Sequence, residues 1–556
     1  MADPARDAQA DTSIKETFVS LLISFVMALV FRSYVVEAFI IPTGSMAPTL
    51  LGAHMRFESP QTGNSWAVNP WYPMQSDMPS AIQGDGEFWP PSATDPLTTS
   101  QINPMRPGGR PPGVAGYVTP PQPKPLLAGD RILVQKYLYN IFPPERWDVV
   151  VFKNPELATQ NFIKRLVGLP GEQIWIADGD LFTRPAVRGP LGTPEPTGPW
   201  KIARKPPHVQ ESVWRTVFSS ELTPIFPVRD GRRWFSPPWR GEGWVIEDQR
   251  DYRFAGSEPT TLTWDVDAWP INDWVPYNEI PSRFRSSAGI QPFPLCDVRM
   301  RVGVRPDTDG MTVRATIAAH EHEFQLVWAA GNATLRMRPI APASGAGAPW
   351  TDLATAPLAS PATGRVTNIA FAHFDQTLEL TVERKVVLRA TYDWGPSERL
   401  LYATGKAGDE YVETSPAGNA LRYPDTYRNS RPSISWDFAG SPVTVYRAGL
   451  DKDLYYEAAQ FHTSMNGMPA FGTHPANLVT LGPDQYFMLG DNSPASKDGR
   501  LWEVVDPFVA EQIDATVGVV PRKLILGKAF FVYFPAPAGS VGPIPVPDFG
   551  RMRLIR

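Results

Sequence analysis

Val298-Arg-Met-Arg-Val-Gly-Val304 sets Val298, Met300, Val302 and Val304 on one face of an extended chain and Arg299 and Arg301 on the other. The same alternation, or a short apolar run, returns at Met311–Ile317, Phe324–Trp328, Leu335–Met337, Phe371–Phe374, Leu378–Val382 and Val443–Tyr446. Turn signals such as Pro306-Asp-Thr-Asp-Gly310 and Glu383-Arg-Lys385 fall between these runs. Short strands at this spacing predict a β-sandwich over residues 234–456. Composition points the same way: 61 Pro and 43 Gly in 556 residues are too many helix breakers for a bundle. The 42% of hydrophobic residues and 18 Trp supply ample core.

Chemistry within the sandwich is sparse. Cys296, the only cysteine, opens the alternating run and reads as a small core residue. A single cysteine rules out an intrachain disulfide and a Cys-based zinc site. His320 and His322 share a strand face, but with no third ligand in view they read as a solvated strand end. His54, His208, His373, His462 and His474 are scattered singly and take no role. No metal and no cofactor are expected. A net charge of −5 without a Lys/Arg block excludes nucleic acid as a partner.

Outward from the sandwich, several segments carry denser signals. On the N-terminal side stand Phe39-Ile-Ile-Pro-Thr-Gly-Ser-Met-Ala-Pro-Thr-Leu50, Gly129-Asp-Arg-Ile-Leu-Val-Gln-Lys136, Arg146-Trp-Asp-Val-Val-Val-Phe152 and Phe162-Ile-Lys-Arg-Leu-Val-Gly-Leu-Pro-Gly-Glu172. On the C-terminal side stands Tyr486-Phe-Met-Leu-Gly-Asp-Asn-Ser-Pro-Ala-Ser-Lys-Asp-Gly-Arg500. Ser45, between Gly44 and two prolines, sits on a stiff extended turn. Lys164 is set among Phe162, Ile163, Leu166 and Val167 on an expected strand. Further upstream, Thr17–Val36 is apolar apart from Arg32 and a few small polar residues, and reads as a retained membrane anchor.

An anchor followed by IPTGSMAPTL, GDRILV, FIKRLVGLPGE and GDNSPASKDGR resembles the successive boxes of the bacterial type I signal peptidases, serine proteases with a Ser–Lys pair. The matched segments amount to some 80 residues in the family's order. The resemblance implies Ser45 as nucleophile and Lys164 as general base. It implies Thr43 as a hydroxyl donor to the oxyanion hole, Ser496 orienting the lysine amine, and Asp498 and Arg500 supporting that turn. Thr43 stands where the family commonly has Ser, and the last box departs at Ser493-Pro494 and Gly499. None of the seven histidines lies in these boxes, so a neutral lysine must act as the base. That requires its pKa to fall from about 10.4 toward 8 by burial.

The expected organisation is mainly β. It has a cytoplasmic tail (1–16), a transmembrane anchor (17–37) and a first catalytic part (38–233), which carries a Pro-rich insertion (56–126). The sandwich (234–456) and a second catalytic part (457–556) follow. The Pro-rich insertion reads as an excursion without its own core, its Trp66, Trp71 and Trp89 either resting on the membrane interface or packing on the protease. Asn368–Leu388, followed by Asp393, resembles the core hairpins of laminin-G or legume-lectin sandwiches. The insert's ligand is unassigned, and replacing about 234–456 by a short linker is expected to leave the Ser45–Lys164 centre assembled.

The implied activity is cleavage of signal peptides from exported preproteins at the bacterial inner membrane, the N-terminus cytoplasmic and the catalytic domain on the periplasmic side. The rivals are a self-cleaving Ser–Lys repressor and a membrane-tethered β-sandwich binding protein with a decayed protease. The anchor and the intact FIKRLVGLPGE box argue against the first, and intact Ser45 and Lys164 against the second.

Overall fold

The computed structural model describes residues 4–30, 34–59, 62–69, 93–97, 101–102, 126–189, 193–223, 237–278, 291–340, 348–411, 420–458, 468–541 and 544–556. Strands take 43% and helices 17% of the fold. Four large sheets are present, and each is spliced from segments far apart in sequence.

The first sheet runs in the order Val36–Ile40, Arg131–Gln135, Ile525–Phe534, Val149–Asn154, Leu157–Gly168, Gln485–Leu489 and Val520–Pro521, with Arg553–Leu554 also on Ile525–Phe534. A second sheet is built on Glu172–Ala177 and Asp180–Arg188, which pair antiparallel across the Asp178-Gly179 loop. Both loop residues have positive φ, 48° and 83°, the geometry whose twist matches a two-residue hairpin.

The sandwich has one sheet of eight strands and one of seven. Arg215–Ser219 joins the eight-stranded sheet through Val443–Lys452, so the sandwich draws on chain ahead of residue 234. All seven runs singled out in the sequence lie on its strands, for example Val298–Pro306 between Thr367–Phe374 and Val443–Lys452. Their inward faces bury Val298, Met300, Val304, Val313, Phe324, Trp328, Phe371 and Trp436 in one core. Three further hairpins turn on non-glycine pairs at positive φ: His320-Glu321, Asp375-Gln376 and Glu383-Arg384.

Four expectations are revised. The 17–37 anchor is not one continuous helix: the helix spans Pro4–Val30, residues 31–33 lie outside the described residues, and Val36–Ile40 is a strand. The β-branched and aromatic residues of Val36-Glu-Ala-Phe-Ile40 find a ladder partner in Arg131–Gln135. Among the described residues, no helix is long and apolar enough to cross a membrane. The helix also begins inside the expected tail. Trp66 is buried, and with Met55, Phe57 and Val68 it gives the Pro-rich insertion a small core of its own on the Met55–Glu58 and Ser65–Val68 hairpin. Trp71 and Trp89 lie outside the described residues. His320 and His322 are buried rather than solvated.

Trp436 is fully buried in the sandwich core. Trp436→Ala is expected to destabilise the protein by about 3–5 kcal/mol, whereas truncating the exposed Val386 stays within about 0.5 kcal/mol. Urea melts of the two variants check the difference.

Candidate active site

Two chain segments 119 residues apart meet at Ser45 and Lys164. Ser45 lies on the turn that follows the Val36–Ile40 strand, and Lys164 lies in the Leu157–Gly168 strand, in register with Val150. The lysine Nζ donates to Ser45 Oγ at 2.5 Å. Only 8% of Ser45 and 3% of Lys164 is exposed.

On the strand, Phe162 and Leu166 share the lysine's face, while Ile163 and Val167 belong to other core clusters across the sheet. The Phe162 ring lies 5.4 Å from Nζ. The apolar surroundings are therefore narrower than the sequence run suggested. Burial still lowers the Lys164 pKa from 10.5 to about 8, with Asp498 and Asp491 pulling it back up and Arg500 pushing it down.

Asp498 and Arg500 form a fully buried bidentate pair, Nε to Oδ1 and Nη2 to Oδ2 both at 2.9 Å. Burial alone would raise the Asp498 pKa, but Arg500 and the Gly490 N–H hold the carboxylate below its ordinary range. Arg500 also donates to the Glu457 carbonyl and to Ser493 Oγ, which locks the loop. Ser496 is buried close to Gly490, yet its Oγ makes no hydrogen bond, so the expected contact with the Lys164 amine is not formed. Thr43 stands exposed two residues before Ser45.

Several residues holding the nucleophile turn were given no role from the sequence. Arg165 grips Asp491 through two 2.7 Å hydrogen bonds, and Thr49 Oγ1 donates to the same carboxylate at 2.6 Å. Asn492 donates twice to the nucleophile turn, its N–H to the Ser45 carbonyl at 3.0 Å and its Nδ2 to the Gly44 carbonyl at 2.8 Å. Asp130 accepts from the Leu51 and Ala536 N–H groups at 2.8 Å each. Asp130, Arg165, Asp491 and Asn492 all sit inside the quoted boxes, where a polar residue beside a strand end was the available signal.

Tyr277 and Asn278 lie in no box and carried no signal. The Tyr277 ring packs so closely on Gly44 that a Cβ there would come within 1.9 Å of Cε1, and its hydroxyl donates to the Ala53 carbonyl at 2.8 Å. Asn278 Nδ2 donates to Asn492 Oδ1 at 2.6 Å. Both residues fall within 234–456, so the insert touches the turn bearing Ser45.

The arrangement is that of a buried hydroxyl–amine pair in a β scaffold. The family model "Signal peptidase, peptidase S26" matches residues 122–185 and 424–534, a range that includes Lys164, Ser496, Asp498 and Arg500 but not Thr43 or Ser45. Signal peptidase I of Pseudomonas fluorescens is 32% identical over 106 residues, 19% of this chain and 35% of that protein. Signal peptidase I of Rickettsia typhi is 24% identical over 252 residues, 44% of this chain and 73% of that protein. The chain spans about a third of the length of the first curated relatives it matches. Among solved structures, a carbohydrate-binding module (CBM66) from Bacillus subtilis aligns over 39% of this chain and 97% of its own, at 4% identity and a TM-score of 0.22. Over its two matched ranges the chain is similar to the type I signal peptidases, and most of the β-sandwich lies between those ranges.

Asp491→Ala leaves the Arg165 guanidinium buried without its partner. A loss of about 3–5 kcal/mol is expected, measured by urea melt.

Proposed function

We propose that the protein is a serine endopeptidase that removes signal peptides from exported preproteins, with Ser45 as nucleophile and Lys164 as general base. The observation that carries this reading is the 2.5 Å contact between a buried lysine amine and a buried serine hydroxyl. A neutral Lys164 accepts the Ser45 proton as Oγ bonds to the scissile carbonyl carbon. The oxyanion is met by the Ser45 N–H and the Thr43 hydroxyl. The proton then passes to the leaving amine as the C–N bond breaks, leaving an ester on Ser45. Water that gives its proton to Lys164 attacks that ester, and the acid product departs as Ser45 regains its hydrogen.

The substrate binds extended, as an added strand. Val36–Ile40 ends the order of its sheet and leads through Ile41 and Pro42 toward Ser45, which makes it the edge we assign to this role. Phe18, Leu21, Leu22, Phe25, Val26 and Met27 stand exposed on the N-terminal helix. A bacterial inner-membrane surface would cover them and hold the catalytic body, on its periplasmic side, near emerging cleavage sites.

In purified protein free of host peptidase, Ser45→Ala is expected to abolish cleavage of a model preprotein without changing the melt. Lys164→Arg is expected to be as inactive as Lys164→Met, because a guanidinium does not surrender its proton near neutral pH. Retention of a substantial fraction of the wild-type rate by the arginine variant would remove Lys164 as the base. Since the base works only when neutral, kcat/KM is expected to rise with pH through a limb near 8, not near 10.5. Tyr277→Ala is expected to lower kcat about 10–100-fold with a smaller change in KM, through a misplaced Ser45 turn.

A further inference from the structure

A second cluster of chemistry-bearing groups lies away from Ser45, where the second sheet meets the sandwich. Asp178 and Asp180 flank the loop glycine there, and Asp297, Asp375 and Asp453 come from the sandwich side; all five are buried. Two permanent cations reach them. Arg399 Nε lies 3.0 Å from Asp178 Oδ2, and Arg399 Nη2 is 3.5 Å from both Asp180 Oδ2 and Asp297 Oδ1. Lys205 Nζ is 2.5 Å from Asp375 Oδ1 and 2.9 Å from Asp453 Oδ2. Five carboxylates against two cations leave an excess of negative charge, which burial makes costly unless protons or a cation offset it.

Softer donors stand next to that excess. Cys296 Sγ is 3.5 Å from Asp297 Oδ1, and His373 Nδ1 is 3.1 Å from the same oxygen. Ligand atoms of Cys296, Asp297 and His373 all lie within 4.8 Å of one another. His373 is fully buried, its Nε2 is engaged by the Tyr392 hydroxyl at 2.7 Å, and its Nδ1 has no partner in hydrogen-bond geometry. The buried His373 Nδ1 thus faces the Asp297 carboxylate at 3.1 Å, with the Cys296 thiol within 4.8 Å. A tetrahedral zinc centre with bonds of about 2.0–2.3 Å has edges of about 3.3–3.8 Å, close to these separations. A small cavity lined by Asp180, Cys296, Asp297, Arg399 and Asp453 adjoins them. His320 backs the thiol, its Nδ1 3.3 Å from Cys296 Sγ and its Nε2 2.6 Å from Asp178 Oδ2.

We infer that Cys296 Sγ, Asp297 Oδ1 and His373 Nδ1 form a zinc site with three protein ligands, its fourth position open to water from the adjoining cavity. One thiolate, one imidazole and one carboxylate suit Zn²⁺ better than Mg²⁺ or Ca²⁺, which prefer oxygen sets. A lone cysteine rules out the zinc sites built from several thiolates, as expected above, but not a mixed set of one thiolate, one carboxylate and one imidazole.

The test uses full-length, tag-free protein stripped with a chelator and then equilibrated separately with zinc and cobalt. The expected results are about one zinc per chain by elemental analysis, a raised melting temperature, and a thiolate-to-cobalt charge-transfer band. Cys296→Ser is expected to lose the band and His373→Asn to weaken binding, while Ser45-dependent cleavage is read separately. Wild-type protein that takes up no zinc and gives no cobalt band overturns the inference and assigns the charge balance to protons, for which Asp180, pushed well up by burial, is the first candidate. A band that persists in Cys296→Ser also overturns it. The wild-type measurement decides even if a variant does not fold.

Discussion

Removing one ammonium group from water organises this protein. Lys164 occupies a closed position beneath the Ser45 turn, and desolvation brings its pKa from 10.5 to about 8. That difference is worth about 3 kcal/mol against the folded state when the amine is charged. The sign is that of a base whose folded pKa is lowered. The penalty is complete below about 8 and gone above about 10.5, so this group's contribution to stability rises with pH across that window. The surrounding packing has to carry that cost, and it does so with charges that cancel locally.

Arg165–Asp491 and Arg500–Asp498 are both buried and both bidentate. Each brings a charge close to Lys164 and largely neutralises it within the same pair. Asp498 and Asp491 favour the ammonium and Arg500 opposes it, which leaves desolvation as the dominant influence. The pairs also fix geometry. Arg165 follows Lys164 on the strand, and Asp491 precedes Asn492, whose amide holds the Gly44 carbonyl. One strand and one loop therefore set the lysine, the nucleophile turn and the charge balance together. Tyr277 and Asn278 close the same turn from the insert, so the two bodies share the responsibility for placing Ser45.

The strands of the sandwich were legible because their inward faces alternate, from Val298 to Val304 and again from Met311 to Ile317. The segments around Ser45, Lys164 and Arg500 were legible because polar residues stand at the ends of apolar strands. The contacts that cross between bodies were not. Tyr277 on Gly44, Asn278 on Asn492 and His373 beside Cys296 join residues tens to hundreds apart, and no local pattern marks them. His320 misled because a hairpin turn normally faces water, whereas here it is covered by Asp178, Ser430 and Cys296. The anchor was read too long because Val35–Ile41 is apolar enough for either a helix or a strand. A partner ladder, invisible in the local sequence, decided for the strand.

The account stands or falls on the protonation of one side chain. Labelling the lysine side chains with ¹³C next to the amine and following Lys164, assigned by its loss in Lys164→Met, gives its titration directly by NMR. The account predicts a midpoint near 8, well separated from the exposed lysines. A midpoint at or above about 10.4, the ordinary value for a hydrated lysine, would contradict it.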